Sequence, residues 1–434
     1  MCSSRVLVVC GSLLAGCFDP IPPDTVTRPG AGEVVGAVTD QCSSKPLAGV
    51  LVTPQPVENG SIGSPALGAT TDAGGRYALE LDQGEWQLTF SKKGYQSVEK
   101  TVVVRSSATE KIDLTVPPVP AQLPQQARLD VLFVVDNSNS MSEEQQSLAQ
   151  AFPRFMNALL LYGFTLDLRV GVISTDLGAG SYGIPSCEAV GGDGGKLQAS
   201  ARVAGCAPPS DPYISVVGTT TNVPDDMVND AFACIVELGT GGCGFEQPLG
   251  AALKAVDGQT NPGFPRADAV LAVVLISDED DCTASDTALY DPNARSPLTS
   301  FRCFERGVTC DGAAGTPGPK SGCKPAAGGQ LLDVDSFVNQ LTQGRGAGRV
   351  FFAAIAGPTD KVEVGLDGSN LALRPSCQTA STAAVPGIRL RAVADALGPN
   401  SSFDTICVAD LGATLANVAR RIAETTIFSP CTGQ

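Results

Sequence analysis

Residues 129–142, LDVLFVVDNSNSMS, join a nearly unbroken apolar run to a cluster of small oxygen-bearing side chains. A run such as 129–135, with one acidic residue in seven, reads as a strand covered on both faces rather than on one. Residues 142–161 read as an amphipathic helix, with Leu148, Phe152, Phe155 and Leu159 at offsets of four, seven and eleven. Between strand and helix lies Asp136-Asn137-Ser138-Asn139-Ser140. Spacing by two turns one carboxylate and two hydroxyls toward a common point. Such hard oxygen donors suit Mg²⁺, Mn²⁺ or Ca²⁺.

Outward from this stretch the pattern of strand, then helix, repeats. Apolar runs at 166–173, 269–276 and 350–356 read as strands, with a further short strand over 403–408. Segments 226–238, 248–256, 334–341 and 389–397 read as helices, and a last helix carries Leu411, Leu415, Val418 and Ile422 on one face. This alternation predicts an α/β, doubly wound, Rossmann-like domain over residues 128–434 with a mostly parallel sheet. In such a sheet ligands bind beyond the carboxyl ends of the strands, where Asp136 lies. Residues 176–224 and 283–332 are rich in Gly, Pro, Ser and Cys and are expected to be long surface loops stapled by disulfides.

The Asp136-x-Ser138-x-Ser140 pattern at a strand end resembles the metal-ion-dependent adhesion site of von Willebrand factor A domains. The resemblance implies an Asp after the central strand, which Asp278 provides, and a Thr in a loop before a helix. Thr240 is the choice for that Thr, with Thr175 as the alternative. It further implies a divalent cation, Mg²⁺ in the first place with Mn²⁺ or Ca²⁺ as alternatives, and a protein partner that presents an acidic residue to it. The acidic run 278–281 is read as a solvated loop with one metal-facing member, the alternative being a second calcium site.

Residues 33–116 carry short apolar runs at 33–39, 49–53, 76–81, 85–91, 97–104 and 111–116, separated by turn signals such as Asp72-Ala73-Gly74-Gly75. That spacing predicts a small antiparallel β-sandwich. The pieces Gly36-Ala37-Val38-Thr39-Asp40, Pro46-Leu47-Ala48-Gly49-Val50, Thr71 through Tyr77, and Gly84 through Tyr95 resemble the carboxypeptidase regulatory-like, transthyretin-type domain. The resemblance implies a spacer or binding module and no peptidase activity. A Pro-rich linker over 117–127 separates it from the second domain.

The N-terminus reads as an export leader. Arg5 precedes a mostly apolar stretch over 6–15, too short to span a bilayer, which needs ~20 residues. Leu14-Ala15-Gly16-Cys17 resembles the lipobox of bacterial lipoproteins. It implies a signal peptide over 1–16, lipidation of Cys17 and a tether over 17–32. The expected location is therefore the cell envelope, lipid-anchored to the outer membrane or cell surface. An ordinary signal peptide is the alternative.

Composition narrows the function. The net charge is −16, which repels phosphate backbones and argues against nucleic-acid binding. The chain has no His, which excludes a Ser–His–Asp triad and removes the commonest zinc ligand. Fifteen Cys without paired CxxC spacings fit disulfides in an oxidising compartment. By proximity in sequence the pairs Cys187–Cys206, Cys234–Cys243 and Cys310–Cys323 are expected. If Cys2 and Cys10 are cleaved off and Cys17 is lipidated, twelve remain, eleven of them in the second domain, and a bridge from Cys42 to Cys431 would leave an even number there. The expectation is a binding protein and not an enzyme. The alternatives are a disulfide-rich envelope scaffold without a functional metal site and a hydrolase using the acidic loop.

Overall fold

The computed structural model describes residues 31–40, 45–57, 68–93, 95–116, 126–160, 165–187, 190–201, 204–294, 298–345 and 347–427. The leader, Cys17, Cys42 and Cys431 lie outside these residues. The chain divides into two compact units, Met1–Val119 and Pro120–Gln434.

In the first unit the strands are β1 (Ala31–Asp40), β2 (Leu51–Pro56), β3 (Ala69–Thr70), β4 (Arg76–Asp82), β5 (Gly84–Ser91), β6 (Val98–Val104), β7 (Thr109–Lys111) and β8 (Leu114–Val116). They form two four-stranded sheets. One has the order β4-β1-β7 with β8 also on β1; the other has β3-β2-β5-β6. Alternate residues face inward, as a sheet covered on one side requires. Val34, Leu79, Leu81, Trp86, Leu88, Phe90 and Val104 meet in one apolar core. The turn before β4 is built by Asp72, whose Oδ1 accepts from Gly74 N and Arg76 N at 2.8 and 2.9 Å. Gly75 completes it at φ +73°, where an added Cβ would come within 2.4 Å of the Val38 carbonyl oxygen. One expectation is corrected: the sandwich is not purely antiparallel. β7 and β8 run parallel to β1, because the chain crosses from β6 in the second sheet before it pairs.

The second unit opens with β9 (Gln126–Val135), α1 (Ser142–Leu160), β10 (Thr165–Ser174), β11 (Ile214–Val217) and β12 (Thr220–Thr221). It continues with α2 (Val228–Val236), α3 (Pro248–Ala255), β13 (Val270–Ile276), α4 (Phe301–Gly307), β14 (Val308–Asp311) and β15 (Gly318–Pro325). After α5 (Val334–Thr342) come β16 (Val350–Ala356), β17 (Val362–Asp367), β18 (Asn370–Leu373), β19 (Cys377–Gln378) and β20 (Ala383–Ala384). The last elements are α6 (Ile388–Leu397), β21 (Ser401–Thr405) and α7 (Leu411–Ile422).

Seven strands form the main sheet in the order β12-β11-β10-β9-β13-β16-β21. From β10 to β21 every pairing is parallel, and β11 and β12 add an antiparallel edge. The unbroken apolar strands have their reason here. Leu129, Val131, Phe133 and Val135 enter a core with α1, α2 and α7. Leu132 and Val134, on the other face, enter a second core with α3, α5 and α6. Phe133 sits edge-on to Phe152, Phe155 and Phe232 at centroid distances of 6.1, 5.6 and 5.0 Å. At the amino end of the sheet Arg266 bonds Asp130 at 2.6 Å and Asp167 at 2.5 Å, so the one acidic residue of β9 has a partner.

Two further expectations change. Residues 283–332 are not a structureless loop. They contain α4 and β14–β15, which extend through β17 to β18 as a four-stranded antiparallel sheet with its own small apolar core. Among the described residues the disulfides are Cys187–Cys243, Cys206–Cys234, Cys282–Cys303, Cys310–Cys323 and Cys377–Cys407. Of the pairs expected from sequence proximity, only Cys310–Cys323 forms. Cys234 lies on the buried side of α2 and meets Cys206, while Cys243 lies in the loop beyond α2 and meets Cys187. Five bridges of this kind need an oxidising compartment to persist. Among the described residues no helix is long and apolar enough to cross a membrane.

Candidate functional site

The parallel strands have the order β10-β9-β13-β16-β21. The chain leaves β9 toward β10 on one side and places β13 on the other. The carboxyl ends of β9 and β13 therefore flank the switch point of the sheet, the place where ligands of such sheets bind. Asp136 follows β9 and Asp278 follows β13 by two residues. The backbone N–H of Asp136 donates to the Ile276 carbonyl at 3.0 Å, so the two loops start side by side.

Asp136 is fully buried. Its Oδ1 accepts from Ser138 N at 2.8 Å, and its Oδ2 accepts from the Ser277 hydroxyl at 2.6 Å. The Ser138 and Ser140 hydroxyl oxygens lie 3.4 Å apart. Ser138 is buried and Ser140 is exposed, so this loop reaches from the interior to the surface. Asp278 is buried, bonds the Ser140 hydroxyl, and keeps Oδ1 without a partner. The structure thus brings Asp136, Ser138, Ser140 and Asp278 together.

Thr240 is less directly placed. Its loop touches the Asp136 loop through Gly242, whose N–H donates to the Asn137 carbonyl at 2.9 Å. The approach is so close that a Cβ on Gly242 would come within 2.2 Å of Asn137 Oδ1. Gln145 on α1 pins the same loop, donating to the carbonyls of Asp136 and Gly239, each at 2.9 Å. Thr240 itself is half-buried, and no hydrogen bond joins it to Asp136, Ser138, Ser140 or Asp278. Thr175, the alternative, is fully buried at the end of β10 with its hydroxyl unpartnered.

Two further carboxyls lie in the field of Asp136: Glu246, which carries no signal of its own in the sequence, and Glu279, a member of the acidic run 278–281. Glu246 is buried just before α3, and its Oε2 has no partner. Burial, then the charges of Glu279 and Asp136, push its carboxyl well above the usual range. Glu279 is likewise raised, by burial first, and accepts a hydrogen bond from the Glu246 carboxyl and one from Ser300. For Glu246 the one local signal is the boundary of α3, which Pro248 marks, but a buried Glu two residues before a helix has no sequence signature of its own.

The rest of the acidic loop has structural partners. Asp281 forms a buried ion pair with Arg389 at 3.1 Å. Asp280 accepts from the backbone N–H groups of Arg389 and Leu390, at 2.9 and 3.3 Å, at the start of α6. The run 278–281 is therefore not a solvated loop, because these bonds fold it inward.

Burial raises Asp136, whose Ser277 and Ser138 bonds offset part of the effect. Burial and the Asp136 charge raise Asp278 to about 8, and burial raises Asp280 to about 6. Both sit above the ordinary value of 3.8, so the folded chain holds protons that the unfolded chain gives up. That contribution to stability is complete below pH ~4 and is lost as pH rises toward ~8. Thermal melts of chelated protein should accordingly show the melting temperature falling across that window, and saturating divalent cation should remove the fall. A melting temperature that rises with pH in chelator would contradict this electrostatic picture.

Among the described residues no group of three His, Cys, Asp or Glu side chains is set to hold a metal unaided. Any cation here must draw on hydroxyls as well as carboxylates. The unpartnered buried oxygens of Asp278, Glu246 and Thr175 fit that role, since buried polar atoms without partners are costly and need an explanation.

Residues 33–117 match the family of carboxypeptidase regulatory-like domains. The match lies within the first unit. None of the curated proteins compared matches the chain. Among solved structures, the major pilin subunit of Bacillus cereus is 19% identical over 20% of this chain and 28% of its own, with a TM-score of 0.17. The minor pilin of Streptococcus agalactiae is 26% identical over 22% and 47%, with a TM-score of 0.18. A 3-chlorocatechol 1,2-dioxygenase of Rhodococcus opacus is 14% identical over 21% and 62%, with a TM-score of 0.18. The chain spans less than two thirds of the length of each of these. The carboxypeptidase regulatory-like domain contributes none of the side chains gathered around Asp136, all of which belong to the second unit.

Proposed function

We propose that residues 128–434 are a von Willebrand factor A-type domain, and that the chain is a lipid-anchored cell-envelope protein that binds a protein partner through a divalent cation. The observation that carries the reading is the meeting of Asp136, Ser138, Ser140 and Asp278 at the switch point of a parallel sheet, with a buried carboxylate oxygen of Asp278 left unpartnered. The donors fit a hard dication: they are oxygens only, mixed between carboxylate and hydroxyl. Such an ion, when bound, supplies an electrophilic point for a partner's carboxylate.

The chain's own residues do the positioning. Ser277 holds one oxygen of Asp136, and the Ser138 N–H holds the other. Gln145 ties the loop of Gly239 to the loop of Asp136. Asn139 and Ser140 are the exposed edge of the site and form the rim that a partner meets. The lipobox and five disulfides support an envelope location, and the Pro-rich tether would raise the site off the membrane.

The test is a pull-down from envelope extract with the full chain as bait, with and without chelator. Partners captured with cation and lost with chelator support the reading. Partners captured equally in both point instead to a disulfide-rich scaffold that uses no metal.

A further inference from the structure

A cavity of about 260 Å³ lies between the acidic loop after β13, α4 and the β17–β18 hairpin. Glu279 and Asp280 line it from the loop, Phe301 and Phe304 from α4, and Leu371 and Leu373 from β18. Asp136, Ser138, Ser140 and Asp278 do not line it. Pockets for drug-sized ligands run to about 300–1,000 Å³, so this one suits a single inserted side chain. Its walls are preformed. Cys282 in the loop is bridged to Cys303 on α4, and both line the cavity. The Phe and Leu side chains belong to the small apolar core of the four-stranded antiparallel sheet.

The charge of the lining has one sign. It includes the carboxylates of Glu279, Asp280, Asp281 and Asp367, and among the described residues no Lys or Arg lines the cavity. Asp281 is paired with Arg389, while Glu279, Asp280 and Asp367 form no salt bridge among the described residues. Asp281 and Cys282 are buried, but Glu279 and Asp280 are only half-buried, so each keeps surface that a ligand in the cavity can meet. Asp280 is also held in position. Its Oδ1 accepts from Asp281 N and Leu390 N at 2.9 and 3.3 Å, and its Oδ2 from Arg389 N at 2.9 Å. A carboxylate offers about four lone-pair positions, which leaves room for a further donor.

We propose that this cavity receives the arginine side chain of a partner protein. A guanidinium is flat, weakly hydrated, forks onto carboxylates and packs against aromatic rings, which matches carboxylates set among Phe and Leu side chains. A lysine ammonium is a compact, strongly hydrated charge and gains less from such walls. An uncharged or acidic group would leave the carboxylates enclosed without a counter-charge, which is costly. The proposal is independent of the metal-dependent reading, because every group it uses stands in place whether or not the loop after β9 holds an ion.

The experiment is saturation-transfer NMR titration of the chelator-treated full chain with N-acetyl-arginine methylamide and with its citrulline analogue, which has nearly the same shape and no charge. Wild type, Asp367→Asn and Ala372→Phe are compared, with near-ultraviolet circular dichroism confirming the fold of each. Wild type should bind the arginine probe saturably and roughly tenfold or more tightly than the citrulline probe. Asp367→Asn removes an exposed carboxylate and should weaken the arginine probe several-fold. Ala372 lines the cavity from β18, so Ala372→Phe fills the space, leaves every carboxylate in place and should abolish binding. Equal affinity for the two probes, no saturable arginine binding by wild type, or wild-type affinity in Ala372→Phe would each overturn the proposal. Chelator removes any bound cation, so these outcomes are separate from those that test the metal site.

Discussion

Asp136→Ala should lower divalent-cation affinity roughly hundredfold or more, a larger loss than any other single substitution at the site, because in the proposed site it is a ligand rather than a support. Asp136 is at the centre of the arrangement. It is fully buried, both its oxygens are oriented by short hydrogen bonds, and its charge is felt by Asp278, Glu246 and Glu279. Removing it therefore takes away an oxygen donor and the acceptor of one hydrogen bond each from Ser138 and Ser277. The same substitution relieves repulsion within the buried acidic cluster, so in chelator the variant should melt no lower than wild type. Cation should then raise the melting temperature of wild type alone. At a free concentration 100 times Kd that stabilisation is about 2.7 kcal/mol. An equal rise in the variant would show that the stabilising ion binds elsewhere.

The largest expected loss of stability comes from Arg389→Ala. The Asp281–Arg389 pair lies in the interior, with side-chain exposures of 0% and 1%. Arg389 donates twice to Asp281 Oδ2 and once to the Leu332 carbonyl. Asp281 in turn accepts from Leu249 N and the Thr283 hydroxyl, so it ties the acidic loop to both α3 and α6. Truncating one partner strands a buried charge at a cost of about 3–5 kcal/mol, a fall in melting temperature of roughly 10 °C. Replacing both partners, as Asp281→Leu with Arg389→Met, should recover most of the loss, since a buried pair is often no more stable than apolar side chains of similar volume. A single variant that melts within about 1 kcal/mol of wild type would mean that the loop does not depend on this pair.

What could be read in the sequence was what depends on local pattern. The strands β13 and β16, and β9 from Val131 onward, are apolar because helices cover both faces, and that leaves an unmistakable trace in a run such as 129–135. The helix α1 shows itself through Leu148, Phe152, Phe155 and Leu159, all fully buried. Asp136 and Asp278 were found because each stands just past such a strand. Disulfide partners were not legible, because pairing follows the path of loops in space: Cys187 passes over Cys206 to meet Cys243, 56 residues away. The β14–β15 hairpin was hidden by its Gly, Pro and Lys content and its half-exposed strands, which lack a clear two-residue alternation. Glu246 was hidden for a different reason. A charged residue reads as solvent-facing unless tertiary contacts are known, and only the fold places this one beside Glu279 and within the field of Asp136.

The central claim is that the loop after β9 holds a cation, and titration of the chelator-treated full chain with Ca²⁺ and Mg²⁺ tests it most directly. The account predicts saturable uptake of one ion per chain by the wild type and its loss in Asp136→Ala. No uptake by the wild type, or the same uptake in both proteins, would contradict it.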